Sequence, residues 1–467
     1  MSRLFGTDGI RGEAGRFPLD PATVRVIGRV LTQQLAMSLD GRAPRIVTGR
    51  DTRESSEWIE RALIEGATHA GAECESAGVI PTPGVARMAQ EITADAGVVI
   101  SASHNPFRDN GIKIFSSSGR KLDDITERLI EGSLESESLR NNLIDNSTRI
   151  VVQSESPGDD ESALDRNHAA GLLRRYREYL TEEIARGLEL TGLTVVVDCA
   201  NGAASHLAPP IFESLGARVI PINNSPNGRN INLDCGSLHL EGLQKRVVSE
   251  RADLGVAFDG DADRALFIDA SGRFVDGDAT LWVMAKYLSS NGRLANETVV
   301  ATVMSNIGLE IALRSRGMTL LRTDVGDKYV LEKLLETGSS LGGEQSGHII
   351  FPNLSLVGDG IITTICLLRG MRDTQASLGS LVEGFTRYPQ VLVNVPVREK
   401  PPFADVKSIA QAARQVEVEL GGNGRLLLRY SGTEPLARVM IEGQRMEVIE
   451  RKANAIADVI REALGTS

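Results

Sequence analysis

The chain has 467 residues, which at the usual domain size means about three or four hydrophobic cores, not one. Apolar residues make up 41 % and charged residues 24 %, the balance of a soluble globular protein, neither disordered nor fibrous. The 51 Lys+Arg against 62 Asp+Glu leave a net charge of −11 without a basic block, which argues against nucleic acid as a partner, and no run approaches the ~18–20 apolar residues of a membrane span.

The opening Met1-Ser2-Arg3-Leu4-Phe5-Gly6-Thr7-Asp8 meets an acid before an apolar run can form, so no signal peptide is expected and the chain reads as cytoplasmic. Short β-rich runs then alternate with amphipathic helices, the pattern of α/β units with mostly parallel strands. Arg45 to Thr48 reads as a strand, Glu54 to Ala70 as a helix and Gly97 to Ile100 as a strand. A polar stretch from Asn141 to Asn167 reads as an exposed excursion or linker. The alternation resumes with a strand at Thr194 to Asp198, a helix from Ala203 to Leu215 and a strand at Arg218 to Ile220, and again from Val299 to Val303. After Arg387 the pattern becomes that of a smaller α+β domain: strands at Gln390 to Val397, Arg425 to Tyr430 and Arg438 to Ile441, helices at Ala404 to Leu420 and Glu447 to Leu464. The four cysteines, Cys74, Cys199, Cys235 and Cys366, are scattered and form no C-x-x-C pair, so they read as buried thiols, neither a disulfide frame nor a zinc site.

One internal echo points to function. Ala94-Asp95-Ala96-Gly97-Val98-Val99-Ile100-Ser101 aligns with Ala252-Asp253-Leu254-Gly255-Val256-Ala257-Phe258-Asp259, and each run empties into an unusual polar loop. Loops at the carboxyl ends of parallel strands are where α/β proteins bind ligands. The second loop, Asp259-Gly260-Asp261-Ala262-Asp263-Arg264, sets carboxylates at i, i+2 and i+4, which share one side of an extended segment and repel unless a cation joins them. Hard oxygen ligands imply Mg²⁺ or Ca²⁺. An EF-hand is excluded because Arg264 stands where Gly is required and Ala270 where Glu is required. Three protein oxygens leave room for water and a phosphate oxygen, which suits Mg²⁺; the alternative is an acidic surface turn.

Ser101-Ala102-Ser103-His104-Asn105-Pro106 places a serine beside a histidine, by itself an ordinary turn composition. Lys113, between Ile112 and Ile114, reads on spacing alone as a solvent-facing strand lysine. Gly342-Gly343-Glu344-Gln345-Ser346-Gly347-His348 packs donors and acceptors suited to sugar hydroxyls, or forms a polar hairpin tip. Gly338-Ser339-Ser340-Leu341-Gly342 matches G-x-S-x-G but follows a helix, Val330 to Leu335, so a nucleophile elbow is rejected. Arg429-Tyr430-Ser431-Gly432-Thr433-Glu434-Pro435 with Arg438 has the makings of a phosphate grip, the alternative being a hairpin with an incidental arginine. No P-loop and no G-x-G-x-x-G after a strand occurs, so neither an ordinary nucleotide nor a dinucleotide cofactor is indicated.

Taken in order, these four loops resemble the α-D-phosphohexomutase family over essentially the whole chain. Phe5-Gly6-Thr7-Asp8-Gly9-Ile10-Arg11-Gly12, Asn230-Ile231-Asn232 with Cys235-Gly236-Ser237, and Gly343 to His348 are closest to its bacterial members acting on glucosamine phosphates. The resemblance implies three related α/β domains with mainly parallel mixed sheets and a smaller C-terminal α+β domain around a central cleft, with boundaries at 1–165, 166–272, 273–386 and 387–467. It implies interconversion of glucosamine 6-phosphate and glucosamine 1-phosphate through a bisphosphorylated sugar, supplying UDP-N-acetylglucosamine synthesis, with glucosamine 1,6-bisphosphate as activator. Alternatives are the same chemistry on glucose or mannose phosphates, or a phosphosugar sensor without turnover. By resemblance Ser103 carries the phosphoryl group, and Asp259, Asp261 and Asp263 hold one Mg²⁺ with a phosphate oxygen on Ser103. Lys113 would handle protons, reversing its reading from spacing, and Arg11 and His104 would flank the reacting phosphate. Glu344, Ser346 and His348 would contact the sugar, and Arg429, Ser431, Thr433 and Arg438 the non-reacting phosphate. Lys328 and Asn227 depart from the family pattern, which commonly has Arg and Asp there. The partner is a small sugar phosphate, not nucleic acid or membrane, with the chain a monomer or homodimer.

Overall fold

The Val/Ile-rich runs become inner strands because a strand covered on both faces needs apolar side chains at successive positions. The computed structural model describes residues 4–6, 8–122, 125–134, 159–431 and 434–466. The chain divides into two units, Met1–Val303 with Arg322–Glu383, and Met304–Leu321 with Gly384–Ser467.

The first unit carries three sheets. In the first, strands β1 (Phe5–Gly6), β2 (Gly9–Glu13), β3 (Arg45–Arg50), β4 (Glu73–Val79), β5 (Ala96–Ile100) and β6 (Asp109–Ser116) lie in the order β1-β2-β6-β5-β3-β4. β4, β3 and β5 are parallel, whereas β6, β2 and β1 continue antiparallel. In the second, β7 (Thr194–Asp198), β8 (Arg218–Ile222), β9 (Leu254–Phe258), β10 (Ala265–Asp269) and β11 (Phe274–Val275) lie in the order β11-β10-β9-β7-β8. Here β8, β7 and β9 are parallel and β10 and β11 antiparallel. In the third, β12 (Thr298–Thr302) runs parallel to β14 (Gly342–Gly343), which pairs antiparallel with β15 (Ile349–Ile350). In the chain β13 (Thr319–Thr323) follows β12 and precedes β14, and its last carbonyl accepts from Val303 N–H.

The echo is thereby explained. β5 and β9 are both buried at every position and both lie between a parallel and an antiparallel neighbour, and β14 has the same two kinds of neighbour. The Ser101, Asp259 and Glu344 loops leave the carboxyl ends of these equivalent strands.

Helices follow the apolar periodicity with a few corrections. Ser56–His69 falls within the predicted Glu54 to Ala70. The predicted helix from Ala203 shortens to Ala208–Ser214, because Pro209 and Pro210 are tolerated only in a first turn. Of the expected linker from Asn141 to Asn167, residues 141–158 lie outside the described ones. From Asp159 onward the chain is instead helical, Asp159–Glu178, led by the strong helix formers around Ala169, Ala170, Leu172 and Leu173. Cys199 and Cys235 are buried as expected, but Cys74 and Cys366 are only partly covered; all four are free thiols. Among the described residues no helix is long and apolar enough to cross a membrane.

The second unit holds an antiparallel sheet of β16 (Gln390–Pro396), β17 (Gly424–Tyr430) and β18 (Leu436–Gly443) in the order β16-β18-β17. Helices Lys407–Leu420 and Met446–Leu464 cover it through Ile409, Ile449, Ile456 and Ile460 against Val395, Val439 and Ile441.

Candidate active site

Ser103 is completely buried and adopts φ +52°, the left-handed region that costs a non-glycine residue about 1–3 kcal/mol. Its N–H donates to Ser101 Oγ (2.9 Å), and its Oγ donates to Asp259 Oδ2 (2.5 Å), with His104 Nδ1 at 3.2 Å. The hydroxyl is thus delivered directly against the acidic loop.

That loop turns back between β9 and β10, and the ligand oxygens of Asp259, Asp261 and Asp263 lie within 4.8 Å of one another. All three residues are buried. Among the described residues Asp261 Oδ1 and Asp263 Oδ1 accept no hydrogen bond; His348 Nδ1 stands 3.6 Å and Arg264 Nε 3.7 Å from Asp263 Oδ1. Burial and the charges of Asp263 and Asp261 push Asp259 well above the usual carboxylate range. Lys113 and His348, acting against burial, hold Asp263 well below it. Orphaned carboxylate oxygens aimed into one buried cluster fit a hard divalent cation.

Lys113 is 1 % exposed, not solvent-facing. Its strand, β6, lies between β5 and β2, and its ammonium donates to Asp261 Oδ2 (2.8 Å) and Asp263 Oδ2 (3.2 Å), with Asp8 Oδ2 at 3.1 Å. Burial opposes the charged form, but these three carboxylates outweigh it and raise the pKa well above the ordinary value. Arg11 on β2 pairs with Asp8, and its Nη1 reaches Ala102 C=O and Asn105 Oδ1, both at 3.3 Å. Arg264 Nη1 donates to His104 Nδ1 (3.0 Å). Burial together with the Arg264 and Arg11 cations pushes His104 down to about 4, so the imidazole is neutral at physiological pH. A cavity of about 350 Å³ opens here, lined by Asp8, Arg11, His104 and Arg264. Two cationic guanidiniums beside the serine suit a phosphate.

From the third sheet, Glu344 accepts from Gly326 N–H and from Ser346 Oγ, each at 3.2 Å. Gln345 donates to Asp278 (3.0 Å). His348 is buried; its Nε2 accepts from Gly358 N–H (3.0 Å), which leaves the Nδ1 proton facing Asp263. Burial would lower its pKa, but Asp263 raises it. Ser340 is no nucleophile elbow: Gly338 ends the preceding helix in a left-handed cap, and Ser340 Oγ donates to Arg293 C=O.

In the second unit, Arg429 and Arg438 stand directly opposite each other across β17 and β18. Like charges in that register repel unless an anion lies between them. Burial and Arg438 lower the pKa of Arg429, and among the described residues the buried Arg438 Nε has no acceptor. Arg438 Nη2 donates to Ser431 Oγ (3.4 Å) and to Glu434 (3.2 Å). Thr433 lies outside the described residues.

The structure therefore gathers Ser103, His104, Lys113, Arg11, the three aspartates and His348 in the first unit, and pairs Arg429 with Arg438 in the second. It adds residues the sequence reading did not single out. Asp8 bridges Lys113, Lys121 and Arg11, and burial notwithstanding, those cations hold it below the usual carboxylate range. Lys121 in turn pairs with Asp327, whose Oδ2 lies 3.5 Å from His348 Nε2. Asp8 sits inside the quoted run from Phe5 to Gly12 and Asp327 stands next to Lys328, so a signal was present for both; for Lys121 there was none.

The sequence matches the description Phosphoglucomutase/phosphomannomutase for its alpha/beta/alpha domain I over residues 2–141, domain II over 174–272, domain III over 276–388 and C-terminal domain over 392–459. It is 47 % identical over 462 residues to a phosphoglucosamine mutase of Solibacter usitatus, covering 99 % of both chains. To a phosphoglucosamine mutase of Mycobacterium ulcerans it is 46 % identical over 463 residues, covering 99 % of this chain and 100 % of the other. Among solved structures, a phosphoglucomutase/phosphomannomutase family protein from Burkholderia thailandensis superposes with TM-score 0.77 at 22 % identity, covering all of both chains. The N-acetylphosphoglucosamine mutase of Aspergillus fumigatus, in complex with GlcNAc-6P and magnesium, gives TM-score 0.65 at 19 % identity, covering 99 % of this chain and 96 % of that one. At those identities the likeness to the two structures is one of fold.

Proposed function

The chain belongs to the phosphoglucomutase/phosphomannomutase family, and from that premise we propose that it is an isomerase interconverting glucosamine 6-phosphate and glucosamine 1-phosphate in the cytoplasm. The observation that carries the chemistry is a buried serine hydroxyl at 2.5 Å from the first of three clustered aspartates.

Phosphorylated Ser103 donates its phosphoryl group to one sugar hydroxyl: the P–O bond to Ser103 breaks as a bond to the sugar oxygen forms, and the hydroxyl proton replaces the one that Lys113 gives to Ser103 Oγ, so one proton passes in net from sugar to serine. The resulting glucosamine 1,6-bisphosphate turns over and returns its other phosphate to Ser103. Such a transfer needs positioning and charge neutralisation more than covalent invention. Arg11 and Arg264, with neutral His104, hold the phosphoryl oxygens. Lys113 handles the proton: as an ammonium it donates, which serves Ser103 Oγ while the phosphoryl group leaves. Asp259, Asp261 and Asp263 hold one Mg²⁺ together with a phosphate oxygen on Ser103, the cation seen in the fungal structure. When bound it neutralises charge on the transferring group. Glu344, Ser346 and His348 receive the sugar, and Arg429, Ser431, Thr433 and Arg438 hold the non-reacting phosphate. Functional boundaries fall at 1–165, 166–272, 273–386 and 387–467.

The preference for the amino sugar rests on the relatives at 46–47 % identity. A charge-assisted hydrogen bond to the C2 ammonium is worth roughly 1.5–3 kcal/mol, or about ten- to a hundredfold over a C2 hydroxyl. The test is kcat/KM for glucosamine, glucose and mannose 6-phosphates, each with its activating bisphosphate. A preference for glucose or mannose phosphate refutes the substrate and leaves the mutase chemistry standing.

A further inference from the structure

Beneath the Ser103 loop lies an ion pair with no part in the chemistry above. Asp51 and Arg53 are both completely buried. Asp51 accepts from Ser56 Oγ (2.7 Å), from Arg53 Nε (2.8 Å) and from Ser101 Oγ (2.8 Å), the same hydroxyl that receives Ser103 N–H. The Arg53 fork donates through Nη2 to the carbonyls of Ser103 and Asn105, both at 2.9 Å, and through Nη1 to that of Pro106. From the second sheet's side, Asn232 Nδ2 donates to the same two carbonyls, Ser103 at 2.9 Å and Asn105 at 3.0 Å. Asn232 itself sits at φ +56°, its N–H fixed on Ala200 C=O.

A buried ion pair adds little net stability over an apolar pair of the same size, so its presence calls for another account. A left-handed non-glycine residue persists only where its surroundings over-determine it. Both facts meet at Ser103. We propose that Arg53 and Asn232 are positioning residues that clamp the Ser103 and Asn105 carbonyls from two sides, aiming the Ser103 hydroxyl at the transferring phosphoryl group. Neither touches substrate. Lysine in place of Arg53 keeps the charge but loses the planar fork, so it cannot serve Asp51 and three carbonyls together.

The inference rests on Ser103 being the phosphoryl carrier. Steady-state kinetics and thermal midpoints are measured for Asn232→Ala, Asn232→Leu, Arg53→Lys and Ser103→Ala. Misplacement of a reacting group should lower kcat of both Asn232 variants roughly 10–100-fold, with KM held within about threefold. Arg53→Lys should fall further. Leucine restores bulk without asparagine's donors, and neither leucine nor alanine favours the left-handed backbone at 232, so the two variants should lose similar amounts of thermal midpoint while kcat falls in both. An Asn232→Leu enzyme with parental kcat, or variants in which KM rises and kcat stands, overturns the assignment. If Arg53→Lys fails to fold, the Asn232 pair decides alone. Turnover surviving in Ser103→Ala refutes the carrier, and this inference with it. A dead Ser103→Ala beside unaffected Asn232 variants refutes only the clamp.

Discussion

The loop after β5 and the loop after β9 issue from strands of one design. Gly97 in β5 lies against Val85 and Ala89, and Gly255 in β9 against Leu243 and Val247, residues at matching places in the two preceding helices. Each loop contains a left-handed non-glycine residue, Ser103 at φ +52° and Ala262 at +55°. What differs is the cargo and its seating. One loop presents a hydroxyl and is held by side chains, Arg53 and Asn232. The other presents three carboxylates, and its carbonyls are held by main-chain donors: Gly260 C=O accepts from Ala203 N–H (2.8 Å) and Asp261 C=O from Thr82 N–H (3.0 Å). A shared strand frame sets where a loop emerges; the loop's own residues and the groups beneath it set what it can do.

The comparison breaks first at Ser103. If its hydroxyl carries the phosphoryl group, Ser103→Ala should lose turnover on the order of 10³-fold or more while keeping its thermal midpoint, and intact mass should no longer show a phosphorylated fraction. The acidic loop comes next. Chelation should abolish activity and Mg²⁺ restore it, and Asp261→Ala should cost on the order of 10²-fold in kcat and weaken Mg²⁺ binding by calorimetry. Full activity in chelator would remove the metal from the account.

Lys113, on the strand that follows the Ser103 loop, donates to Asp261 and Asp263 of the acidic loop. Lys113→Arg preserves charge but removes an amine able to give up its proton, so kcat should fall roughly 10²-fold. Near-parental rates would leave Lys113 an electrostatic contact only. The smallest effect tests the frame itself. A Cβ at Gly255 would meet Val247 Cγ2 at 2.5 Å, and one at Gly97 would meet Val85 Cγ1 at 3.2 Å. A valine in a helix has little rotamer freedom to yield, so Gly255→Ala should destabilise by about 1–3 kcal/mol. In Gly97→Ala the loss should be smaller, as read by urea unfolding.

Much of this molecule was determined by the sequence alone. Buried strands announce themselves by Val/Ile runs, and the echo between Ala94–Ser101 and Ala252–Asp259 reports two strands with the same neighbours, because both are signals within a few consecutive residues. The spacing of Asp259, Asp261 and Asp263 likewise carries its own chemistry. Helix ends and the stretch after Asp159 were legible only in part, since the proline pair in the first turn and the helix formers beyond Ala169 compete with local polarity. The environment of each side chain was decided by tertiary structure. Lys113 reads as exposed from its strand and is enclosed because Asp261 and Asp263 arrive from another sheet. Lys121 carries no local mark, and its role depends on Asp8 and Asp327 lying on either side of it. The low basicity of His104 comes from its burial and from the nearby Arg264 and Arg11 cations. Coulombic and desolvation effects depend on distance in space, and short-range sequence patterns do not encode it.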